Sequence, residues 1–259
     1  MCKIQYRKGS LLAVQEGMVN MKIPDDLLNI KELQRVTKEK KGRSRGKNNK
    51  HDLLKVMTWN VEGLTSTLKD SPDNDLFQNS DLVFLQETMC TKVPNQLQNY
   101  YNLSVLAEKQ DRGRPVGGLT ILAKPNLNLQ PVNQDMNRIQ CKCRFGNIIG
   151  YYFNPDTHIE DIIQQLTEDL QTLDSQTSII AGDFNCRVDI RNPRGDMLVQ
   201  FMSSKYFRLL NDTSKQTYYC HNGSSCIDLI FVKSNVTKLL KNFHVITDPH
   251  KKHQRVLNN

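Results

Sequence analysis

The sequence predicts a layered α/β domain in which two mixed β-sheets pack face to face with helices on their outer sides. Three observations carry this: short β-branched runs recur from residue 51 onward, one strongly amphipathic helix lies between two of them, and there is no internal repeat.

The apolar runs 53–59 (LLKVMTW), 82–86 (LVFLQ), 118–123 (GLTILA), 147–153 (NIIGYYF), 178–184 (SIIAGDF), 226–232 (CIDLIFV) and 243–247 (FHVIT) each have strand length and composition, and turn residues bound them. Between the fourth and fifth, Ile159, Ile162, Ile163, Leu166, Leu170 and Leu173 repeat at helical spacing, and Thr157 with Glu160 has the form of a capping box. A second helix is predicted around 196–206 (DMLVQFMSSKY). Gly117-Gly118 reads as a bend at a strand start, since no helix and no Lys-Ser/Thr follows it.

Charge divides the chain of 259 residues at about position 50. Residues 1–50 hold 13 of the 35 basic residues and 5 of the 27 acidic ones, so the whole net charge of +8 lies there and the remainder is neutral. We therefore read residues 1–50 as a basic N-terminal extension and residues 51–259 as the folded domain. In the extension, Pro24-Asp25-Asp26 and the apolar positions Leu27, Leu28, Ile30, Leu33 and Val36 predict a short helix. Residues 38–50 (KEKKGRSRGKNNK) have seven basic side chains and no apolar one, so they cannot offset their ordering entropy by burial and read as a disordered linker. Such a run suits either solubility alone, or nuclear import and contact with phosphates.

No apolar run approaches the ~18 residues of a membrane span, and no secretory leader is apparent at the start, so the expected setting is intracellular and away from membranes. The seven cysteines, at 2, 90, 141, 143, 186, 220 and 226, are odd in number and scattered, which suits free thiols. The spacing of Cys141, Cys143, Cys220, His221 and Cys226 matches no common zinc pattern.

Candidate chemistry sits where predicted strands end: Trp59-Asn60-Val61-Glu62-Gly63, Gln86-Glu87-Thr88 and Gly182-Asp183-Phe184-Asn185. Carboxylates and carboxamides at strand ends can gather along one edge. A hard divalent cation takes oxygen ligands and needs only one or two carboxylates plus substrate phosphate, which Glu87 and Asn60 could supply. Asp183 and Asn185, two residues apart, lie on one side of an extended segment, so one could activate water and the other fix water or phosphate. Taken singly, each of these is more often a turn or cap.

Taken in order, TWNVEGL (58–64), FLQET (84–88), GGLTILAK (117–124), IIAGDFNCRV (179–188) and CIDLIFV (226–232) resemble the endonuclease/exonuclease/phosphatase superfamily over roughly residues 53–256. GDFNCR followed by the later Ile-Asp element looks most like the endonuclease domains of non-LTR retrotransposons. The resemblance implies a four-layer α/β sandwich and a Mg²⁺-dependent phosphodiesterase, with Mn²⁺ as a possible substitute. It implies nucleic acid, DNA foremost, as partner; the oligomeric state is left open, with a monomer as the default. Carried over residue by residue, it places Asn60 and Glu87 at the metal, Asn60 and Asn185 on the substrate phosphate, Asp183 and Asn185 at the reacting water and phosphate, and Asp228 behind a catalytic histidine.

That histidine is expected to be His253, 25 residues after Asp228 and leading into a Val256-containing segment, with His250 and its neighbour Asp248 as the alternative pair. Three features depart from the family pattern. Phe153 stands two residues before Pro155, where members carry a tyrosine; the closing Ser-Asp-His is not contiguous, the candidates being Asp248-Pro249-His250 and Lys251-Lys252-His253, so that on the His253 alignment Lys252 replaces a metal-side aspartate; and the strand after the histidine is left with only Val256 and Leu257. The departures leave open a non-catalytic nucleic-acid-binding relative, and a phosphatase or nuclease of the same fold acting on another phosphoester.

Overall fold

The computed structural model describes residues 54–70, 75–173, 177–233, 243–246 and 251–258, together with three strand segments within residues 3–22. The expected helix near residues 24–36, the linker 38–50, and Asp248 and His250 lie outside the described residues. The chain divides into two units, Met1–Lys50 and His51–Asn259. In the first, β1 (Lys3–Arg7), β2 (Ser10–Val14) and β3 (Met21–Lys22) form a small antiparallel sheet in that order, which the sequence pattern did not lead us to expect.

The second unit begins with β4 (Val56–Asn60), α1 (Leu64–Asp70), the single turn α2 (Asp75–Gln78), β5 (Leu82–Gln86), β6 (Tyr101–Val105) and β7 (Leu119–Ala123). It continues through β8 (Gln130–Asp135), β9 (Arg138–Cys143), β10 (Gly146–Tyr152), α3 (Ile159–Gln171), β11 (Ser178–Asp183) and α4 (Pro193–Ser204). β12 (Phe207–Leu209), the hairpin β13 (Tyr218–Cys220) and β14 (Gly223–Ser225), β15 (Asp228–Lys233), β16 (Phe243–Ile246) and β17 (Arg255–Asn258) complete it. Two six-stranded sheets result, ordered β16-β17-β4-β5-β7-β6 and β12-β15-β11-β10-β9-β8. Both are mixed, because β4–β5 and β10–β11 are parallel pairs among antiparallel ones.

Side-chain parity sorts each strand between two apolar layers. Val56, Leu82, Phe84 and Ile121 from one sheet meet Ile148, Ile179, Ala181, Ile230 and Val232 from the other in the central core. The alternate residues point outward. Met57, Trp59, Val83 and Leu85 pack with Leu64 and Leu68 of α1, while Ile149, Tyr151, Ile180, Leu229 and Phe231 pack with Ile162 and Leu166 of α3 and Leu198 and Met202 of α4. This is the expected four-layer sandwich. Gly150 faces the core, where a Cβ would meet Phe84 at 2.9 Å and Ile121 at 3.2 Å, so its missing side chain lets the sheets close on each other.

All seven predicted strands are present, 82–86 with the predicted ends and the others with ends shifted. Missed were strands such as β6 and β8, exposed or half-exposed edges whose polar sequences (YNLSV, QPVNQD) carry no core pattern. Two local expectations are corrected. α3 starts at Ile159 with His158 as its N-cap, so Thr157 sits one residue too early and no capping box forms. α4 starts at Pro193, earlier than predicted, because Asn192 accepts hydrogen bonds from the Arg194 and Gly195 amides and Pro193 supplies a pre-set first turn. The final strand is also more than Val256 and Leu257: β17 spans four residues and lies between β4 and β16.

Candidate active site

The parity that builds the core also delivers the site. Following the inward-facing residues to the strand ends leads from Val56 through Thr58 to Asn60, from Ile179 through Ala181 to Asp183, from Ile148 through Gly150 to Tyr152, and back along β15 from Ile230 to Asp228. Asp183 is in register with both Tyr152 on β10 and Asp228 on β15. Glu87 follows β5, whose last residue, Gln86, pairs with Asn60. Polar groups from both sheets thus meet at one end of the inter-sheet space.

Asn60 joins the two halves, its Nδ2 donating to Glu87 Oε1 at 2.9 Å and to Asp183 Oδ2 at 3.0 Å. Its Oδ1 accepts the Glu62 amide at 3.2 Å. Asp183 Oδ1 accepts the Asn185 amide at 2.9 Å, and Asn185 Nδ2 donates to the Phe153 carbonyl at 2.8 Å. Glu62, Glu87 and Asn185 have φ of 44°, 47° and 48°, a left-handed conformation that costs non-glycine residues energy and concentrates at functional sites.

His253 Nδ1 lies 3.2 Å from both carboxylate oxygens of Asp228 and 3.9 Å from Asp183 Oδ2. Its carbonyl accepts the Trp59 indole N–H at 3.1 Å, and the Tyr218 ring packs on the imidazole with centroids 4.6 Å apart. Asp228 is held in turn: Thr217 Oγ1 accepts the amides of Ile227 and Asp228 at 3.0 Å each, and Asn211 Nδ2 donates to the Asp228 carbonyl at 2.9 Å. Burial pushes the Asp183 carboxyl upward, with the Asp228 charge adding to it, and against the opposing effects of His253, Asn60 and Asn185 it reaches about 7. For His253, burial pulls the imidazole down, but the charge and hydrogen bond of Asp228, then Asp183 and Glu62, raise it to about 9.

The structure corrects the position of the missing hydroxyl. Phe153 is buried and stacked on Tyr151 in the helix-facing core, with ring centroids 5.2 Å apart, while Tyr152 on the opposite face donates its hydroxyl to Glu87 Oε1 at 2.9 Å. Counting back from Pro155 selected the wrong parity; alternation of Tyr151 and Phe153 against Tyr152 was the available signal. Of the expected residues, Asn60, Glu87, Asp183, Asn185, Asp228 and His253 come together. Glu62, Tyr152, Thr217, Asn211 and Tyr218 were not singled out. Glu62 stands within the TWNVEGL motif, whereas nothing in the sequence marks Thr217 or Asn211. Arg187 of GDFNCR turns away from this group, donating to Asp189 and to the Ser224 carbonyl.

Two sets of residues bear on a metal. Asp183, Asp228 and His253 offer ligand atoms within 4.8 Å of one another, and no cysteine belongs to such a group among the described residues. All three are buried, and the imidazole already satisfies Asp228, so this set is an acid–histidine pair with a third acid against it. Glu87 and Glu62 are partly exposed, and among the described residues Asn60 and Tyr152 engage Glu87 through Oε1. A partly exposed carboxylate, on a segment hydrogen-bonded through its backbone to the one that carries a second, fits a hard divalent cation that keeps several waters.

Residues 146–255 match the family described as "Endonuclease-reverse transcriptase". Among solved structures, the endonuclease domain of TRAS1, a telomere-specific non-LTR retrotransposon, is 16% identical with a TM-score of 0.62, over 80% of this chain and 97% of that one. In fold, and over this matched segment, the domain is similar to the endonuclease/exonuclease/phosphatase superfamily. Two further solved structures are similar in fold. The 3'-5' exonuclease NExo from Neisseria meningitidis is 14% identical with a TM-score of 0.62, over 80% of this chain and 99% of that one. An AP endonuclease from Leishmania major is 13% identical with a TM-score of 0.64, over 84% and 91%. No curated protein matches the sequence. Among the described residues, no helix is long and apolar enough to cross a membrane.

Proposed function

We propose that the domain is a divalent-cation-dependent phosphodiesterase that nicks DNA in the manner of a retrotransposon endonuclease. The observation that carries the reading is the His253–Asp228 pair set against Asp183 in a site that also holds Glu87. Water attacks phosphorus as Asp183 aligns it and takes its proton; the Asn185 amide fixes the carboxylate for this. Asp228 engages His253 Nδ1 and so leaves Nε2 of the imidazolium to donate to a phosphate oxygen, which stabilises the charge that develops there. One P–O ester bond breaks, giving a phosphate monoester and an alkoxide that takes a proton from solvent to leave as the alcohol. Glu87, with Glu62 beside it, would hold Mg²⁺ or Mn²⁺, which supplies positive charge to non-bridging and leaving oxygens. Tyr152 and Asn60 keep the Glu87 carboxylate fixed.

A binding-only reading drew its support from an absent hydroxyl and an uncertain histidine. The Tyr152 hydroxyl on Glu87 and the His253 imidazole on Asp228 support the catalytic reading over it. Supercoiled plasmid should be nicked with Mg²⁺ present and not with EDTA, and Glu87→Ala and Asp183→Ala should each lower the rate of order 10²-fold or more. Equal nicking by wild type and both variants would assign the activity to a contaminant, and intact plasmid throughout would return the domain to the binding-only reading.

A further inference from the structure

Lys252 immediately precedes His253, and its backbone is anchored on both sides of the side chain. Its own carbonyl accepts the Tyr219 amide at 2.8 Å, and the preceding Lys251 carbonyl accepts Gln254 Nε2 at 2.7 Å. The ammonium is thereby carried to Glu62, with Nζ 3.4 Å from Oε1. Glu62 is equally constrained. Its amide donates to Asn60 Oδ1, its carbonyl accepts from Arg114 at 3.0 Å, and the flanking amides of Val61 and Gly63 donate to the carbonyls of Gln86 and Glu87 at 3.0 and 2.9 Å. The segment carrying Glu62 therefore runs directly along the one carrying Glu87, and Lys252 places its positive charge at Glu62, one of the carboxylates suited to a cation.

We propose that Lys252 is an intramolecular competitor for the cation site, its ammonium occupying Glu62 so that a divalent ion must displace it to use both carboxylates. The inference rests on the cation reading given above. Two like charges at one carboxylate repel, and the repulsion is stronger near protein surface than in bulk water. Displacement is feasible because the lysine side chain is 59% exposed and can swing into solvent. The residue thus sets how much cation the site needs, and when displaced its ammonium is free for a substrate phosphate.

Mn²⁺ binding, followed by the EPR signal of the free ion, tests this without reference to activity. Lys252→Gln should bind Mn²⁺ about tenfold or more tightly than wild type by charge removal at this range, and Lys252→Arg should stay near wild type. Glu62→Gln should bind more weakly, and adding Lys252→Gln to it should change affinity little, since the lysine would then have no carboxylate to occupy. Unchanged or weaker binding by Lys252→Gln, in a protein that does bind Mn²⁺, overturns the competitor role alone. Absence of binding by both wild type and Lys252→Gln overturns that role and the cation reading together.

Discussion

At His253 the neighbouring carboxylates overcome burial, and at Asp183 burial and the Asp228 charge together overcome His253, so each side chain holds its proton to a higher pH than usual. Half-protonation of Asp183 near pH 7 matches what a base must do there, and the imidazolium persists until about pH 9. The dependence on Asp228 is measurable. Nitrogen chemical shifts of His253 should titrate near 9 in the wild type. In Asp228→Asn the midpoint should drop to the ordinary value of about 6.5 or below it, because burial then prevails. A midpoint still near 9 would mean that Asp228 does not hold the proton. Nicking in Mg²⁺ should correspondingly rise through pH 7 and decline toward pH 9, and the alkaline limb should move acidward in Asp228→Asn.

Among the elements, the β10–β11 pair matters most, since its parallel register sets Tyr152 beside Asp183. Gly182 makes that register possible: at φ +153° a Cβ would lie 1.9 Å from the Tyr151 carbonyl oxygen. Gly182→Ala must push the strands apart, so it should lower stability by several kcal/mol, at the upper end for single substitutions. It should also weaken nicking beyond any loss of folded protein. The α4 cap is a milder case. Asn192→Ala removes the acceptor for two amides and should cost about 1 kcal/mol in urea unfolding, with the site chemistry unchanged. Comparable urea midpoints for Gly182→Ala and wild type would show that β11 tolerates a side chain there.

For the molecule as a whole, protons taken up on folding link stability to pH. His253 is raised above its unfolded value of 6.5, so its contribution is complete below that pH and lost as pH rises through about 9. Asp183, raised from 3.8 to about 7, has the same sign: folded protein binds its proton more tightly, so stability falls as pH rises across that interval. The melting temperature should therefore decline from pH 6 to pH 9, and His253→Gln should flatten that decline. An identical slope in the variant would show that His253 does not carry it. At this scale too, neutralising the basic residues of 38–50 should weaken DNA binding and reduce its salt slope, by about 0.9 for each phosphate that the segment neutralises. An unchanged slope would leave that segment to solubility or import.

The sequence by itself determined the alternation that separates core from helix-facing layers, the central strands, helix α3, and the order of acids and amides at strand ends. These are local properties, written in period-2 and period-3.6 patterns and in residue type. Only the tertiary structure decided which residues meet. Tyr152 rather than Phe153 reaches Glu87 because strand parity, not distance from Pro155, fixes the direction of a side chain. His253 reaches Asp228 and Lys252 reaches Glu62 because β17 is inserted beside β4, joining residues almost two hundred positions apart. Thr217 and Asn211, which hold Asp228, carry no sequence signal, since a hydroxyl or carboxamide becomes a positioning group only when folding leaves buried backbone groups opposite it.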